Sequence, residues 1–210
     1  SGGGAARQRR GRASGAPDPL AALTDAIVEL PAGAELSEAL GEEDARRLQP
    51  RQLTTLFGML KLRCSSERID ALLAHLRDAG VELNTFIYSA AVSALCVAAR
   101  REGGTEGGER AERVVREMEQ YGAKPNQVTF TALMHYHADR GSLDRALEVF
   151  DMLQEAAREE AAASGSIGKA DGKPDLFAYS TVMKACYQNA TGRRSPGYGG
   201  ELVARLAEQL

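Results

Sequence analysis

The stretch VTFTALMHYHADRGSLDRALEVFDML, residues 128–153, decides the fold. Its anchor residues recur at offsets of 0, 3, 4 and 7, first from Phe130 and again from Ala146. Side chains at these offsets lie on one face of an α-helix. A short connection separates the two series, so the stretch predicts two helices that fold back on each other.

The same pair of series occurs three times and begins a fourth time. The first series are Leu53, Leu56, Phe57 and Leu60; Tyr88, Ala91, Val92 and Leu95; Phe130, Leu133, Met134 and His137; and Tyr179, Val182, Met183 and Cys186. The second series are Ile69, Leu72, Leu73 and Leu76; Ala111, Val114, Val115 and Met118; and Ala146, Val149, Phe150 and Leu153. Repeated helix pairs predict an all-α fold, an α-solenoid of stacked antiparallel helix pairs.

Composition agrees with a helical array and excludes several classes of site. Aromatic residues make up 5% of the chain, there is no Trp, and no apolar run is long enough to span a membrane. Cys64, Cys96 and Cys186 are too far apart to suggest a zinc site. His135 and His137 are two positions apart on a helix and cannot share a metal. We expect no metal site, no cofactor, no catalytic residues and no enzyme activity in this segment.

The two ends and the first 49 residues follow other patterns. Residues 1–17 carry four arginines and no acid, so residues 18–210 have a net charge of −7. We predict that residues 1–17 are disordered, either as a flexible linker, which we favour, or as an organelle transit peptide. The pattern of residues 18–49 predicts one helix that ends at Pro31 and a second helix over 35–48. Together these two helices would form a divergent repeat or a cap on the stack. Since the chain starts at Ser1 and ends within a helical pattern, we expect it to be a piece of a longer protein.

The unit boundaries contain residues that end one helix and begin the next. Gly80 and Gly122 follow the last anchors by four residues, as helix-ending glycines do. Asn84, Asn126 and Asp175 then stand where a side-chain oxygen can cap the following helix. The predicted units are 50–84, 85–126, 127–175 and a partial 176–210. We expect their extra residues to form loops, among them a flexible linker over 101–108, and residues from 156 onward to extend a helix as far as a break at 164–166.

These motifs closely resemble the pentatricopeptide repeat family. The resemblance rests on VTFTALM (128–134), GSLDRALEVF (141–150), REMEQYGAKPN (116–126) and FAYSTVM (177–183), and it covers residues 50–210. The unit 50–84 has Leu83 where the family usually has proline, and it is a weaker copy. The related tetratricopeptide family expects a Trp in each unit, which this chain lacks.

The resemblance implies which residues read RNA, because each repeat of such proteins reads one base with two or three side chains. The implied base-reading pairs are Thr54 with Asn84, Ser89 with Asn126, and Thr131 with Asp175, and Ser180 begins a fourth. The implied base-stacking residues are Arg51, Phe86, Val128 and Phe177. By the family's pairing rules, the pairs would select a purine-rich strand, A-A-G followed by a purine. The alternative interpretation is that the three acidic or amide residues are helix caps alone.

The resemblance implies sequence-specific single-stranded RNA binding in the processing, stability or translation of organellar RNA. It also implies a mitochondrial or plastid location, and we expect a monomer that does not bind membranes. The alternative function is a protein-interaction scaffold that uses the same surface. The acidic balance of residues 18–210 favours this alternative somewhat, because RNA affinity depends strongly on phosphate contacts.

Overall fold

A computed structural model describes residues 18–164 and 176–191 of the chain. This part contains helices α1 to α9 and one short 3₁₀ helix, and it contains no strand. The helices are α1 Pro19–Glu29, the 3₁₀ helix Leu36–Glu38, α2 Glu42–Arg47, α3 Pro50–Leu60, α4 Ser66–Asp78, α5 Thr85–Glu102, α6 Glu106–Gln120, α7 Gln127–Asp139, α8 Leu143–Ser164 and α9 Leu176–Thr191. The predicted all-α class is confirmed.

The helices form two layers. One layer contains α1, α3, α5, α7 and α9, and each helix packs against the next in that order. In the other layer α2 packs against α4 and α4 against α6. The second helix of each pair also contacts the first helix of the following pair, as α4 does with α5, α6 with α7 and α8 with α9. Each hairpin is therefore buried by its neighbours, which is the arrangement of a solenoid.

The predicted anchors form the core. All of them are buried except Met183, which is half-buried. The side chains of Leu53, Leu72 and Leu95 have no exposed surface, and burying one Leu side chain contributes about 1.5–3 kcal/mol. Because the anchors repeat at helical spacing in every unit, this contribution recurs along the whole stack.

Glycines and asparagines fix where the helices end and begin. Gly80 and Gly122 each have φ of 74°, a left-handed conformation that an L side chain adopts only with strain. The residue after each glycine donates its N–H to a carbonyl of the last helical turn, from Val81 to Leu76 at 3.0 Å in the first case. This is the Schellman arrangement. Four residues after each glycine, Asn84 and Asn126 cap α5 and α7, as predicted.

The N-terminal helices stack on the first hairpin. Here α1 packs against α3, while the 3₁₀ helix and α2 pack against α4. The prediction of a single helix over residues 35–48 is wrong, because Gly41 has an extended backbone and separates the 3₁₀ helix from α2. His75 Nε2 lies 2.7 Å from the carbonyl oxygen of Leu40 and joins this region to α4.

The predicted flexible linker over residues 101–108 is also wrong for most of its length. Helix α5 continues to Glu102 and α6 starts at Glu106, so the connection is three residues long. Gly107 and Gly108 are buried inside α6. A Cβ on Gly107 would lie 2.5 Å from Ala99 Cβ and 2.9 Å from Ala99 Cα, and one on Gly108 would overlap the ring of Tyr136. The two glycines allow α6 to approach α5 and α7 closely.

Helix α8 follows its prediction, since it extends through residue 156 to Ser164. The remaining predictions for residues 165–175, and those for residues 1–17 and 192–210, lie outside the described residues.

We expect Gly107→Ala to destabilise the protein by up to about 2 kcal/mol. The added methyl group meets the α5 backbone, and overpacking of this kind costs about 1–3 kcal/mol, more than the ~1 kcal/mol that alanine gains in helix propensity. Thermal unfolding followed by circular dichroism measures the change. Gly104→Ala is the control, because a Cβ at that position would have no heavy atom within 4 Å. If the two variants have the same thermal unfolding midpoint, the close approach of α6 to α5 does not require glycine at position 107.

Candidate nucleic-acid interface

The second residues of four helices form a row along one layer. Arg51, Phe86, Val128 and Phe177 occupy this position in α3, α5, α7 and α9. All four are exposed, with 71% of Phe86, 59% of Val128 and 58% of Phe177 accessible to solvent. Large apolar side chains with this exposure are ready to contact a ligand. The four positions are those for which the resemblance implies base stacking.

An open groove of about 640 Å³ runs along α3 and the first half of α5 and reaches the start of α7. Its lining contains seven of the predicted site residues: Arg51, Thr54, Asn84, Phe86, Ser89, Asn126 and Val128. The other lining residues are Pro50, Gly58, Lys61, Ala90 and Ser93. The structure therefore brings the first two predicted base-reading pairs and three stacking residues to one surface.

The first pair is only loosely held. Thr54 is half-buried, and its hydroxyl donates to the carbonyl of Arg51 at 2.9 Å, within its own helix. Asn84 is exposed, and its Oδ1 accepts the backbone N–H of Ile87 at 3.0 Å. The two side chains share no hydrogen bond, so each remains accessible at the groove.

The second pair belongs to a hydrogen-bond network between two units. Ser89 Oγ lies 2.7 Å from the carbonyl oxygen of Thr85, 3.0 Å from Asn126 Oδ1 and 2.9 Å from Thr129 Oγ1. Only 4% of Ser89 is exposed, and Thr129 is fully buried. The hydroxyl of Ser89 is thus used inside the protein, and its small side chain leaves the space above it open.

The third and fourth units differ from the second. Thr131 is 6% exposed, and its Oγ1 has no hydrogen-bond partner among the described residues. Asp175, its predicted partner, lies outside those residues. Ser180 is exposed and donates to the carbonyl of Leu176 at 2.7 Å.

The predicted stacking residue Phe177 has an aromatic neighbour. The ring of His135 lies 5.3 Å from the Phe177 ring, centroid to centroid, and its Nε2 is 3.1 Å from Thr181 Oγ1. Burial lowers the pKa of His135 below its usual value, which favours the neutral form of the ring. From the sequence, His135 was considered only as a metal ligand, and no role at the groove was predicted for it.

The charge around the groove is positive. Arg51 and Lys61 line the groove, and none of its twelve lining residues is acidic. The N-termini of α3, α5 and α7 add the partial positive charge of helix ends. On the other layer, carboxylates pair with arginines: Arg113 pairs with Asp70, and Arg145 with Glu112. The acidic balance of the chain therefore does not extend into the groove.

Sequence reasoning missed several residues that shape this site. Ser93 follows Ser89 by four positions and Gly58 follows Thr54 by four, so the helical offset alone would have placed both on the groove. Thr129 gave no such signal, because its role depends on contact with Ser89 from another unit. The described residues contain no cluster of His, Cys, Asp and Glu that could hold a metal ion. None of the helices among them has the length and apolar character needed to cross a bilayer.

Stacked helical hairpins with a row of exposed side chains at one end define a helical-repeat protein. The model of the pentatricopeptide repeat domain matches residues 113–157, which run from α6 through α7 into α8. This match confirms the predicted resemblance over residues 113–157 and agrees with a helical-repeat fold. No curated protein matches the chain significantly.

We expect Ser89→Ala to be less stable than Ser93→Ala by about 1–2 kcal/mol. Ser89 joins α5 to α7, whereas the Ser93 hydroxyl bonds to no other described residue. Both changes remove one hydroxyl from the same helix, so their effects on helix propensity cancel. The difference in the free energy of unfolding between the two variants is therefore the contribution of the buried hydrogen-bond network. Chemical denaturation of the two variants measures it. Identical unfolding curves would mean that the network contributes no net stability.

Proposed function

We propose that the groove binds single-stranded RNA, with one base for each helical hairpin. The observation that carries the proposal is that the groove combines exposed Phe86 and Val128 with the polar pairs Thr54–Asn84 and Ser89–Asn126. A base between Phe86 and Val128 would contact an apolar side chain on both sides, a base between Arg51 and Phe86 would contact one, and the edge of each base would face a polar pair. Such stacking contributes about 1–3 kcal/mol per base.

Specificity would follow the paired residues. In this proposal Thr54 with Asn84 and Ser89 with Asn126 select adenine, Thr131 with Asp175 selects guanine, and Ser180 belongs to a purine-selecting pair. Asn amides carry both a donor and an acceptor and can bond the Watson–Crick edge of an unpaired base. Arg51 and Lys61 supply positive charge for the phosphates.

The proposed mechanism is passive, and the segment needs no enzyme activity for it. Holding a strand with its bases splayed out protects it from nucleases and prevents it from pairing. This action fits roles in RNA processing, stability or translation. Pentatricopeptide repeat proteins are commonly organellar, and the arginine-rich, acid-free residues 1–17 agree with a mitochondrial or plastid location. Fractionation of cells that express the tagged full-length protein tests the location, and a purely cytosolic signal would contradict it.

Binding of a labelled RNA containing A-A-G-A, followed by fluorescence anisotropy, tests the RNA proposal. We expect binding that weakens as salt rises and that exceeds binding to an equally long pyrimidine strand. Phe86→Ala should weaken it about 5- to 100-fold, because a stacking surface is lost, while the thermal midpoint stays nearly unchanged.

Tyr121→Ala is the matched control for this experiment. Tyr121 is also an exposed aromatic residue, but it follows α6 in the other layer. The proposal is wrong if the protein fails to bind RNA, or if the two alanine variants lose affinity equally. Absence of RNA binding together with salt-insensitive capture of an apolar peptide in the groove would support the scaffold alternative.

A further inference from the structure

The amide of Asn126 is held in one orientation. Its Oδ1 lies 3.1 Å from the backbone nitrogen of Thr129, 3.1 Å from Thr129 Oγ1 and 3.0 Å from Ser89 Oγ. A backbone N–H can only donate, so the amide atom that faces it must be the oxygen. The Nδ2 group is consequently turned away from the network. It donates to no described residue and is not buried, and Asn126 lines the groove.

Thr129 is the centre of this arrangement. Besides its bond to Asn126 Oδ1, its hydroxyl lies 2.9 Å from Ser89 Oγ and receives the backbone N–H of Asn126 at 3.4 Å. The last contact completes a capping box at the start of α7. Because Thr129 is fully buried, solvent cannot replace the bonds that its hydroxyl makes.

The first unit provides an internal comparison. Asn84 occupies the same cap position, but the residue three positions later is Ile87, which supplies a backbone N–H and no hydroxyl. Thr54 does not bond to Asn84, and Asn84 is exposed. The two units therefore have the same type of residue pair, with the amide fixed by several bonds in the second and by a single bond in the first.

We propose that Thr129 is a positioning residue that fixes the amino group of Asn126 toward the groove and so sets the base preference of the second unit. A fixed amino group can bond the N1 acceptor of adenine. Guanine carries a hydrogen at N1, and two donors would then face each other. To accept a hydrogen bond from guanine, the Asn126 amide would have to turn its oxygen toward the groove, and this would break both the cap and the network. In the first unit the same turn would break a single bond. We therefore expect the second unit to reject guanine more strongly than the first. This inference rests on the proposed RNA binding.

The test compares RNA strands with adenine or guanine at the first or second base, bound to the wild type and to Thr129→Val. We expect the wild type to prefer adenine more strongly at the second base than at the first. Thr129→Val keeps the shape of the side chain but removes the hydroxyl that bonds to both the Asn126 amide and Ser89, so the amide is held by fewer bonds. It should reduce the preference at the second base about 3- to 10-fold and leave the preference at the first base unchanged.

Three further variants control the experiment. Thr129→Ser retains the hydroxyl and should retain the preference. Thr55→Val removes an exposed hydroxyl from α3, outside the groove lining, and should change neither preference. Ile87→Thr supplies the missing hydroxyl in the first unit and should raise the preference for adenine at the first base. Circular dichroism confirms that each variant is folded.

The outcomes separate the inference from the function on which it rests. A wild-type protein that does not bind RNA would overturn the proposed function. RNA binding with an unchanged adenine-to-guanine ratio in folded Thr129→Val would overturn the inference alone. The inference is also overturned if Thr129→Val weakens all strands equally, because a merely structural residue would act in that way. If Thr129→Val does not fold, the test uses Ile87→Thr. The inference is then overturned if this variant has the same ratio of adenine to guanine affinity at the first base as the wild type.

Discussion

The hydrogen bond that the third backbone N–H of α5 or α7 donates to the side-chain oxygen of Asn84 or Asn126 sets the geometry of the stack. Each asparagine lies four residues after a left-handed glycine, Gly80 or Gly122. Glycine ends one helix and asparagine starts the next, so two successive units begin their first helices in the same way. This places Phe86 and Val128 at equivalent points on neighbouring helices, and the groove forms between them.

The two interpretations of these asparagines, as helix caps or as base readers, do not exclude each other. A side-chain amide has an acceptor at one end and a donor at the other. In Asn126 the oxygen caps α7, while the amino group donates to no residue that the structure describes and can meet a ligand at the groove. An aspartate in this position would cap with one oxygen and present a second acceptor outward. The chemistry of the cap thus determines which hydrogen-bonding group faces the groove.

Local patterns predicted most of the fold, because each repeat is stabilised mainly by its own helix faces and its immediate neighbours. The anchors, the glycine turns and the asparagine caps are all encoded within a few residues. The single helix predicted over 35–48 was wrong because Gly41 is extended, and the linker predicted over 101–108 was wrong because tertiary contact overrides local preference. Gly107 and Gly108 have the composition of a linker, but they are buried where α6 meets Ala99 and Tyr136. The burial of Ser89 depends on Thr129, forty residues away, and no short motif reveals it.

A structure of the protein bound to an RNA containing A-A-G-A tests the central claim most directly. The account predicts that the second base lies between Phe86 and Val128, with its Watson–Crick edge toward Asn126 Nδ2, and that the network around Thr129 is intact. A strand bound along the α4–α6 layer, or bases stacked on one another with Phe86 still free, would contradict it.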